Sequence, residues 1–154
     1  MPFRIAYIFD IDGTIADCTH RLHYIEGEKK NWQAFYDACK DDEPIKQTIR
    51  LLWRLHESGA QIIFITGRPE KTRKATALWL KKHVFGLYTV KPEIRLYMRS
   101  DGDYRQDKDV KEEIYKNTDW GMFRIEAVFE DRKQCVDMWR RLGLTCYQVA
   151  DGDY

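Results

Sequence analysis

Short apolar runs alternate with amphipathic stretches along the chain. Runs rich in β-branched and aromatic residues predict buried strands at residues 3–9, 61–66, 94–98, 125–129 and 145–149. Apolar residues spaced three and four apart predict helices at residues 45–58, 70–83, 107–116 and 132–142. This alternation indicates an α/β fold, with a Rossmann-like parallel sheet and helices on both faces.

Turn and helix-start residues set the limits of these elements. Pro69 stands at a helix-start position, and Gly59 ends the helix before it. In the helix that follows Pro69, we expect Ala75, Leu78 and Trp79 to form the buried stripe.

Residues 16–44 interrupt the alternation. The segment is rich in His, Arg, Trp and Tyr, so it is too polar for a core and too aromatic for a plain linker. We interpret it as a small cap insertion over the mouth of the sheet, with a short helix around residues 32–39, in a single domain of residues 1–154. Its aromatic residues Trp32, Phe35 and Tyr36 either stack on a base or form the insertion's own core; the second interpretation is slightly favoured.

Composition narrows the classes of protein. The 154 residues are 44% apolar and 33% charged, as in an ordinary globular domain. The net charge of +1 does not indicate a nucleic-acid binder, although a local basic patch is compatible with it. No apolar run is long enough for a membrane span, and the N-terminus lacks a signal-peptide pattern. The four cysteines have no zinc-like spacing, so we expect them to be reduced thiols. Reduced thiols are typical of cytoplasmic proteins, so we expect the protein to be located in the cytoplasm.

Polar residues follow the predicted strands, where ligands of such sheets bind. The first strand ends in "DIDGT", which places Asp10 and Asp12 on one side of the strand. A hairpin turn at Asp12 and Gly13 is the simpler interpretation. The other strands are followed by Thr66-Gly67-Arg68, by Arg99 with a polar loop, and by Glu130-Asp131.

Convergence of these acids predicts a metal site. Asp10, Asp12, Asp131 and Glu130 would meet at one edge of the sheet, and their mutual repulsion requires a cation. Hard oxygen ligands favour Mg²⁺. Capping of the next helix is the alternative role for Asp131.

Together these residue types describe phosphoryl transfer to a carboxylate. Asp10 is the predicted nucleophile, and Asp12 is the predicted acid and base, its pKa raised by neighbouring carboxylates. The Thr66 hydroxyl, the Gly67 N–H and a lysine would hold the phosphoryl oxygens. Lys108 and Lys111 are candidates for that lysine, with Lys71 and Lys74 as competitors, and a solvated helix face is the alternative role for each.

The chain resembles the haloacid dehalogenase-like phosphohydrolases in four motifs. These are "DIDGT" at residues 10–14, "ITGR" at 65–68, a lysine near 107–111, and the acids at 130–131. Residues 97–115 and 129–154 further resemble the 3′-phosphatase domain of phage-type polynucleotide kinase. This resemblance implies that Lys111 is the motif lysine, with Asp107 as its partner. It also implies that Asp131 binds magnesium and that Arg21, Arg68 and Arg99 lie near the phosphate or nucleotide.

Two departures qualify the resemblance. The chain lacks GxxxxGK[ST], so no kinase domain and no 5′-kinase activity is implied, although a separate kinase or ligase partner is compatible with it. Glu130-Asp131 stands where the family commonly has two aspartates, and we expect the longer Glu130 side chain to affect the outer-shell geometry at the metal rather than the reaction.

Three functions follow as hypotheses. The first is a Mg²⁺-dependent phosphatase that removes 3′-phosphate from nucleic-acid ends or nucleotides, with no membrane association. The second is a phosphatase of small monoesters, such as a free nucleotide or a sugar phosphate. The third is a binding module that recognises phosphorylated ends without turnover.

Overall fold

A five-stranded parallel sheet forms the centre of the molecule, with its strands in the spatial order Arg95–Arg99, Gln61–Pro69, Arg4–Phe9, Phe123–Glu130 and Cys146–Gln148. The computed structural model describes residues 2–86 and 93–152. The strands of the sheet are β1 Arg4–Phe9, β4 Gln61–Pro69, β5 Arg95–Arg99, β6 Phe123–Glu130 and β7 Cys146–Gln148; a separate two-stranded sheet consists of β2 Ala16–Asp17 and β3 Glu43–Pro44. The predicted parallel α/β fold is therefore confirmed, and β4 continues three residues beyond the predicted strand at residues 61–66.

Helices cover both faces of the large sheet. The α-helices are α1 Trp32–Asp37, α2 Lys46–Glu57, α3 Arg73–Leu80, α4 Asp107–Asn117 and α5 Lys133–Arg141. Alternate strand residues face opposite sides: Phe64 packs with Trp79 of α3 in one core, and Ile63 packs with Trp139 of α5 in the other. Among the described helices, none combines the length and apolarity needed to cross a membrane.

The helix predicted at residues 70–83 is divided into three parts. A 3₁₀ turn at Glu70–Thr72 precedes α3, and a π-helical turn at Lys81–Phe85 follows it. The prediction that Leu78 is buried is wrong, since it is 56% exposed. Thr72, Thr76 and Leu80 lie on the inner side instead, because a spacing of four residues keeps them on one face of the helix.

Residues 16–44 form an insertion between β1 and α2. It contains α1 and two 3₁₀ turns, at Thr19–Tyr24 and Ala38–Asp41. Its two ends are joined by the antiparallel pair of β2 and β3. Phe35 is buried, as expected for a core residue of the insertion, whereas Trp32 is 44% exposed. The hairpin interpretation of Asp12 and Gly13 is wrong, because β1 has parallel neighbours on both sides.

Candidate active site

A cavity of about 1240 Å³ lies between the carboxyl ends of the strands and the insertion. This is the place where parallel α/β sheets bind ligands. The sheet contributes residues from the ends of β1, β4 and β5, and the insertion contributes aromatic residues. The lining includes Asp10, Asp12, Thr66, Gly67, Arg99, Tyr104, Asp107, Trp32, Phe35, Tyr36, Lys30 and Lys71.

Three buried carboxylates form an acid cluster of Asp10, Glu130 and Asp131. One oxygen from each of the three lies within 4.8 Å of the others. Asp10 follows β1, Glu130 ends β6 and Asp131 follows it, so parallel pairing of adjacent strands brings the three together. The interpretation of Asp131 as a helix cap is wrong, because the N-cap residue of α5 is Arg132. The Arg132 side chain makes no capping hydrogen bond.

Lys111 lies inside the acid cluster. Its Nζ donates to Asp10 Oδ1 at 2.8 Å and to Glu130 Oε2 at 2.8 Å. It also lies 3.2 Å from Oδ2 of Asp107, one turn earlier on α4. The side chain is 1% exposed. The competing Lys71 donates instead to Gln33 of α1, so Lys111 is the lysine that contacts the acids.

The acid cluster carries more negative charge than Lys111 can balance. Burial raises the pKa of Asp10 well above its ordinary value, and the neighbouring Glu130 raises it further. Burial also raises the pKa of Glu130, to about 7. Burial alone would lower the pKa of Lys111, but the carboxylates around it raise that pKa well above its ordinary value. Clustered carboxylate oxygens with excess negative charge fit a hard divalent cation.

The Asp12 carboxylate belongs to a different group of charges. Its Oδ1 accepts from Arg21 Nη2 at 2.7 Å, from Arg68 Nη2 at 2.6 Å and from Arg68 Nε at 2.9 Å. Among the described residues the Asp12 carboxylate does not join the acid cluster, so its predicted contact with the metal stays a prediction. The expected rise in the pKa of Asp12 is wrong. Burial raises this pKa, but the guanidinium groups of Arg68 and Arg21 lower it by more, so the net shift is downward.

Arg21 and Arg68 lie behind Asp12, and neither lines the cavity. Both also donate to Asp42 Oδ2, Arg21 at 2.7 Å and Arg68 at 2.8 Å. Arg21 further stacks on the Phe35 ring of the insertion. Their expected contact with the phosphate or nucleotide stays a prediction; in this arrangement both arginines hold the Asp12 carboxylate. The sequence gives no signal for Asp42, which stands in an ordinary charged run before a proline.

The end of β4 requires a residue without a side chain. A Cβ at Gly67 would lie 2.0 Å from Asp107 Oδ1, so the carboxylate that contacts Lys111 packs directly on this backbone. Arg99 Nε donates to the Gly67 carbonyl at 2.8 Å, and Arg99 lines the cavity. Thr66 also lines the cavity, and its hydroxyl oxygen accepts the Arg68 N–H at 3.2 Å.

Two further residues contact the acid cluster and were not predicted. Thr14 Oγ1 donates to Asp10 Oδ2 at 3.1 Å, a role that its place in "DIDGT" suggests in retrospect. The Gly152 N–H donates to the Asp131 carbonyl at 3.2 Å. A Cβ at Gly152 would lie 2.2 Å from Asp131 Oδ2, so the backbone after β7 packs against this carboxylate.

Known proteins resemble the chain in sequence and in structure. A protein of Autographa californica nuclear polyhedrosis virus, named "Putative bifunctional polynucleotide kinase/RNA ligase", is 30% identical over 96% of this chain and 20% of its own length. A chain of the Pnkp1/Rnl/Hen1 RNA repair complex superposes with a TM-score of 0.81 and 29% identity, over 99% of this chain and 44% of its own length. The class C acid phosphatase of Bacillus anthracis shares the fold, with a TM-score of 0.66 and 15% identity over 100% of this chain and 69% of its own.

The chain thus spans about a fifth of the viral relative and less than half of the repair-complex chain. Residues 4–154 match the sequence model of the family described as the polynucleotide kinase PNKP phosphatase domain. Nearly the whole chain is included in that match, and the α/β fold and the buried acid cluster agree with it. The chain therefore belongs to the PNKP phosphatase-domain family of haloacid dehalogenase-like phosphatases.

Proposed function

We propose that the chain is a single domain that removes 3′-phosphate from polynucleotide ends, with residues 16–44 as its cap. The proposal rests on one observation above all. Asp10 stands at the tip of β1, is held by Lys111 and Thr14, and lines the cavity. A buried carboxylate fixed beside an ammonium group at an open cavity is placed to react with a phosphate ester.

Asp10 is the nucleophile of the proposed reaction. An oxygen of Asp10 forms a bond to phosphorus, and the bond from phosphorus to the 3′-oxygen breaks. The 3′-hydroxyl leaves with a proton, and an aspartyl phosphate remains. Water then attacks this phosphorus, which releases phosphate and restores the carboxylate. Lys111, the Thr66 hydroxyl and the Gly67 N–H face the phosphoryl oxygens and offset their negative charge.

Asp12 moves the proton in both halves of the reaction. It protonates the leaving 3′-oxygen and later takes a proton from the attacking water. The lowered pKa of free Asp12 fits its role as the base. For the acid role, the negative charge of the arriving phosphate raises the pKa of a nearby carboxylate. Arg21 and Arg68 hold the Asp12 side chain in place through this exchange.

Mg²⁺ is the proposed cofactor. Asp10, Asp131 and Glu130 would hold it, because the acid cluster offers three buried carboxylates close together. When bound, it would neutralise the carboxylates and the phosphate so that they can approach each other. The longer Glu130 side chain keeps one of its carboxylate oxygens on Lys111.

The names of similar proteins support a nucleic-acid substrate. The viral relative is named as a polynucleotide kinase and RNA ligase, and the structural relative belongs to an RNA repair complex. We therefore propose nucleic-acid 3′-ends or nucleotides as substrates and a kinase or ligase as a partner. The four buried free cysteines support the cytoplasm as its location.

Phosphate release from matched oligonucleotides tests the proposal. One oligonucleotide carries a 3′-phosphate and the other a 5′-phosphate, both with Mg²⁺. We expect release from the 3′ end only, and a loss of at least about a thousand-fold in kcat for Asp10→Asn. Asp109→Asn, an exposed aspartate on α4, is the matched control and should retain full activity.

Two results would contradict the proposal. Equal release from both ends would remove the 3′ specificity. If small phosphate esters are hydrolysed but neither oligonucleotide is, the proposed reaction mechanism would stand. The proposed substrate would then be a small phosphate monoester instead of a nucleic-acid end. Trapping of beryllium fluoride on wild-type protein, but not on Asp10→Asn, distinguishes either case from a module that only binds.

A further inference from the structure

Tyr104 is a highly exposed aromatic side chain at the cavity. It lies in the loop between β5 and α4, is 94% exposed and lines the same cavity as Asp10 and Asp12. Among the described residues, it has no ring contact and no side-chain hydrogen bond. An aromatic ring left in water at the mouth of a site is free to contact a ligand there.

The backbone on both sides of Tyr104 is fixed. Arg99 Nη1 donates to the Asp103 carbonyl at 3.0 Å and to the Arg105 carbonyl at 2.7 Å. The Arg105 side chain closes the loop from outside, with Nη2 2.7 Å from Asp103 Oδ2. The loop therefore presents the Tyr104 ring from an anchored backbone, which reduces the entropy lost when a ligand binds.

The same anchor connects Tyr104 to the reacting groups. Arg99 donates to the Gly67 carbonyl, and its Nη2 lies 3.6 Å from Asp107 Oδ1. Asp107 in turn contacts Lys111, which holds Asp10. One guanidinium group thus ties the Tyr104 loop to the place where the phosphate would react.

The other aromatic residues of the cavity are engaged with each other. Trp32 stacks on Tyr36 with ring centroids 5.9 Å apart, and Lys30 Nζ lies over the Trp32 ring, 5.8 Å from its centroid. Phe35 is buried beneath Arg21. Among the described aromatic residues of the cavity lining, Tyr104 is the most exposed, at 94% against 44% for Trp32.

We propose that Tyr104 stacks on the base of the nucleotide that carries the 3′-phosphate. This inference rests on the proposed function and narrows its substrate class to ends that bear a base. Stacking on an aromatic ring is tolerant of base identity, because every base has a flat face. The site would then distinguish a nucleotide end from an abasic end or a small ester, without preferring one base.

Paired substrates test this inference. One oligonucleotide has a normal 3′-terminal nucleotide with a 3′-phosphate, and the other is abasic at that nucleotide. For the wild type, we expect kcat/KM to be about ten-fold higher on the first, as for the loss of one stacked base. Tyr104→Ala should remove that preference by slowing the first substrate alone, and Tyr104→Phe should retain it. Phe3→Ala, which removes another exposed ring outside the cavity lining, is the control.

The outcomes separate the two proposals. If the wild type releases 3′-phosphate but Tyr104→Ala slows both substrates equally, or neither, the stacking proposal is wrong and the proposed function stands. If the wild type releases phosphate from neither oligonucleotide, the proposed function fails, and the stacking proposal is overturned with it.

Discussion

Asp42 is a buried carboxylate outside the cavity on which both buried arginines converge. Replacing it by asparagine removes one of the two negative charges that face Arg21 and Arg68. Breaking a buried ion pair leaves an uncompensated charge, so we expect Asp42→Asn to lower the free energy of unfolding by about 3 kcal/mol. Urea denaturation measures this change, and phosphatase activity should fall because Asp12 loses its fixed position.

The neighbouring Asp41 provides a matched control. It is exposed, and Asp41→Asn should change the free energy of unfolding by less than about 0.5 kcal/mol. Equal effects of the two substitutions would contradict the role assigned to Asp42.

At the level of single residues, the sequence predicts those site residues that directly follow a predicted strand or lie on a predicted helix. Asp10, Glu130, Asp131 and Lys111 come together as expected, since each follows a strand or opens a helix at the same edge of the sheet. The lowered pKa of Asp12 was not predicted, because it depends on a partner 56 residues away. No local signal reports such a contact.

At the level of elements, Glu112 links α4 to α5. Its carboxylate accepts from Arg141 Nη2 at 2.6 Å and from Lys116 Nζ at 2.6 Å. The hydrogen bond from Arg141, followed by that from Lys116, lowers the pKa of Glu112 to about 2, from an ordinary value of 4.5. A carboxylate with a lowered pKa stabilises the fold above its unfolded-state pKa, and this stabilisation is lost as pH falls through the folded-state value.

We therefore expect the Tm of Glu112→Gln to lie below that of the wild type at pH 7. The difference should narrow as pH falls from 4.5 towards 2, the interval set by the two pKa values. Thermal melts at a series of pH values measure it, with Glu28→Gln in the insertion as an exposed control. A difference that stays constant down to pH 2 would contradict this account.

Element type is predictable from periodicity, whereas element ends depend on tertiary contacts. The predicted strands and helices are all present, because a fully buried strand and an amphipathic helix differ in pattern. The extension of β4 to Pro69 was not predicted, since it depends on pairing with Arg99 of β5. Leu78 was misplaced because its stripe was assigned without knowing which side of α3 faces the sheet.

At the scale of the whole molecule, a net charge of +1 limits how tightly a polyanion is held. A site that engages only the phosphates at one end should show a weak dependence on salt. We expect log kcat/KM for the 3′-phosphorylated oligonucleotide to fall with log salt concentration with a slope of about −1 to −2. A small phosphate ester, measured alongside, corrects for effects of salt on the chemistry.

A slope steeper than about −5 would indicate contacts with many backbone phosphates along the oligonucleotide. The protein would then bind the polynucleotide along its length rather than recognise only its end. The Lys30 and Lys71 side chains at the cavity would be the first residues to replace in that case.

The contact between Lys111 and Asp10 joins residues that are 101 positions apart in the sequence. Asp131 packs against Gly152, and both of these residues come after Lys111 in the sequence. A chain emerging from the ribosome carries Asp10 more than a hundred residues before Lys111, and Asp131 and β7 follow later still. No early folding intermediate can therefore hydrolyse a phosphate ester by this mechanism. The proposed chemistry is therefore expected only after residues 10–152 have been made and have folded together.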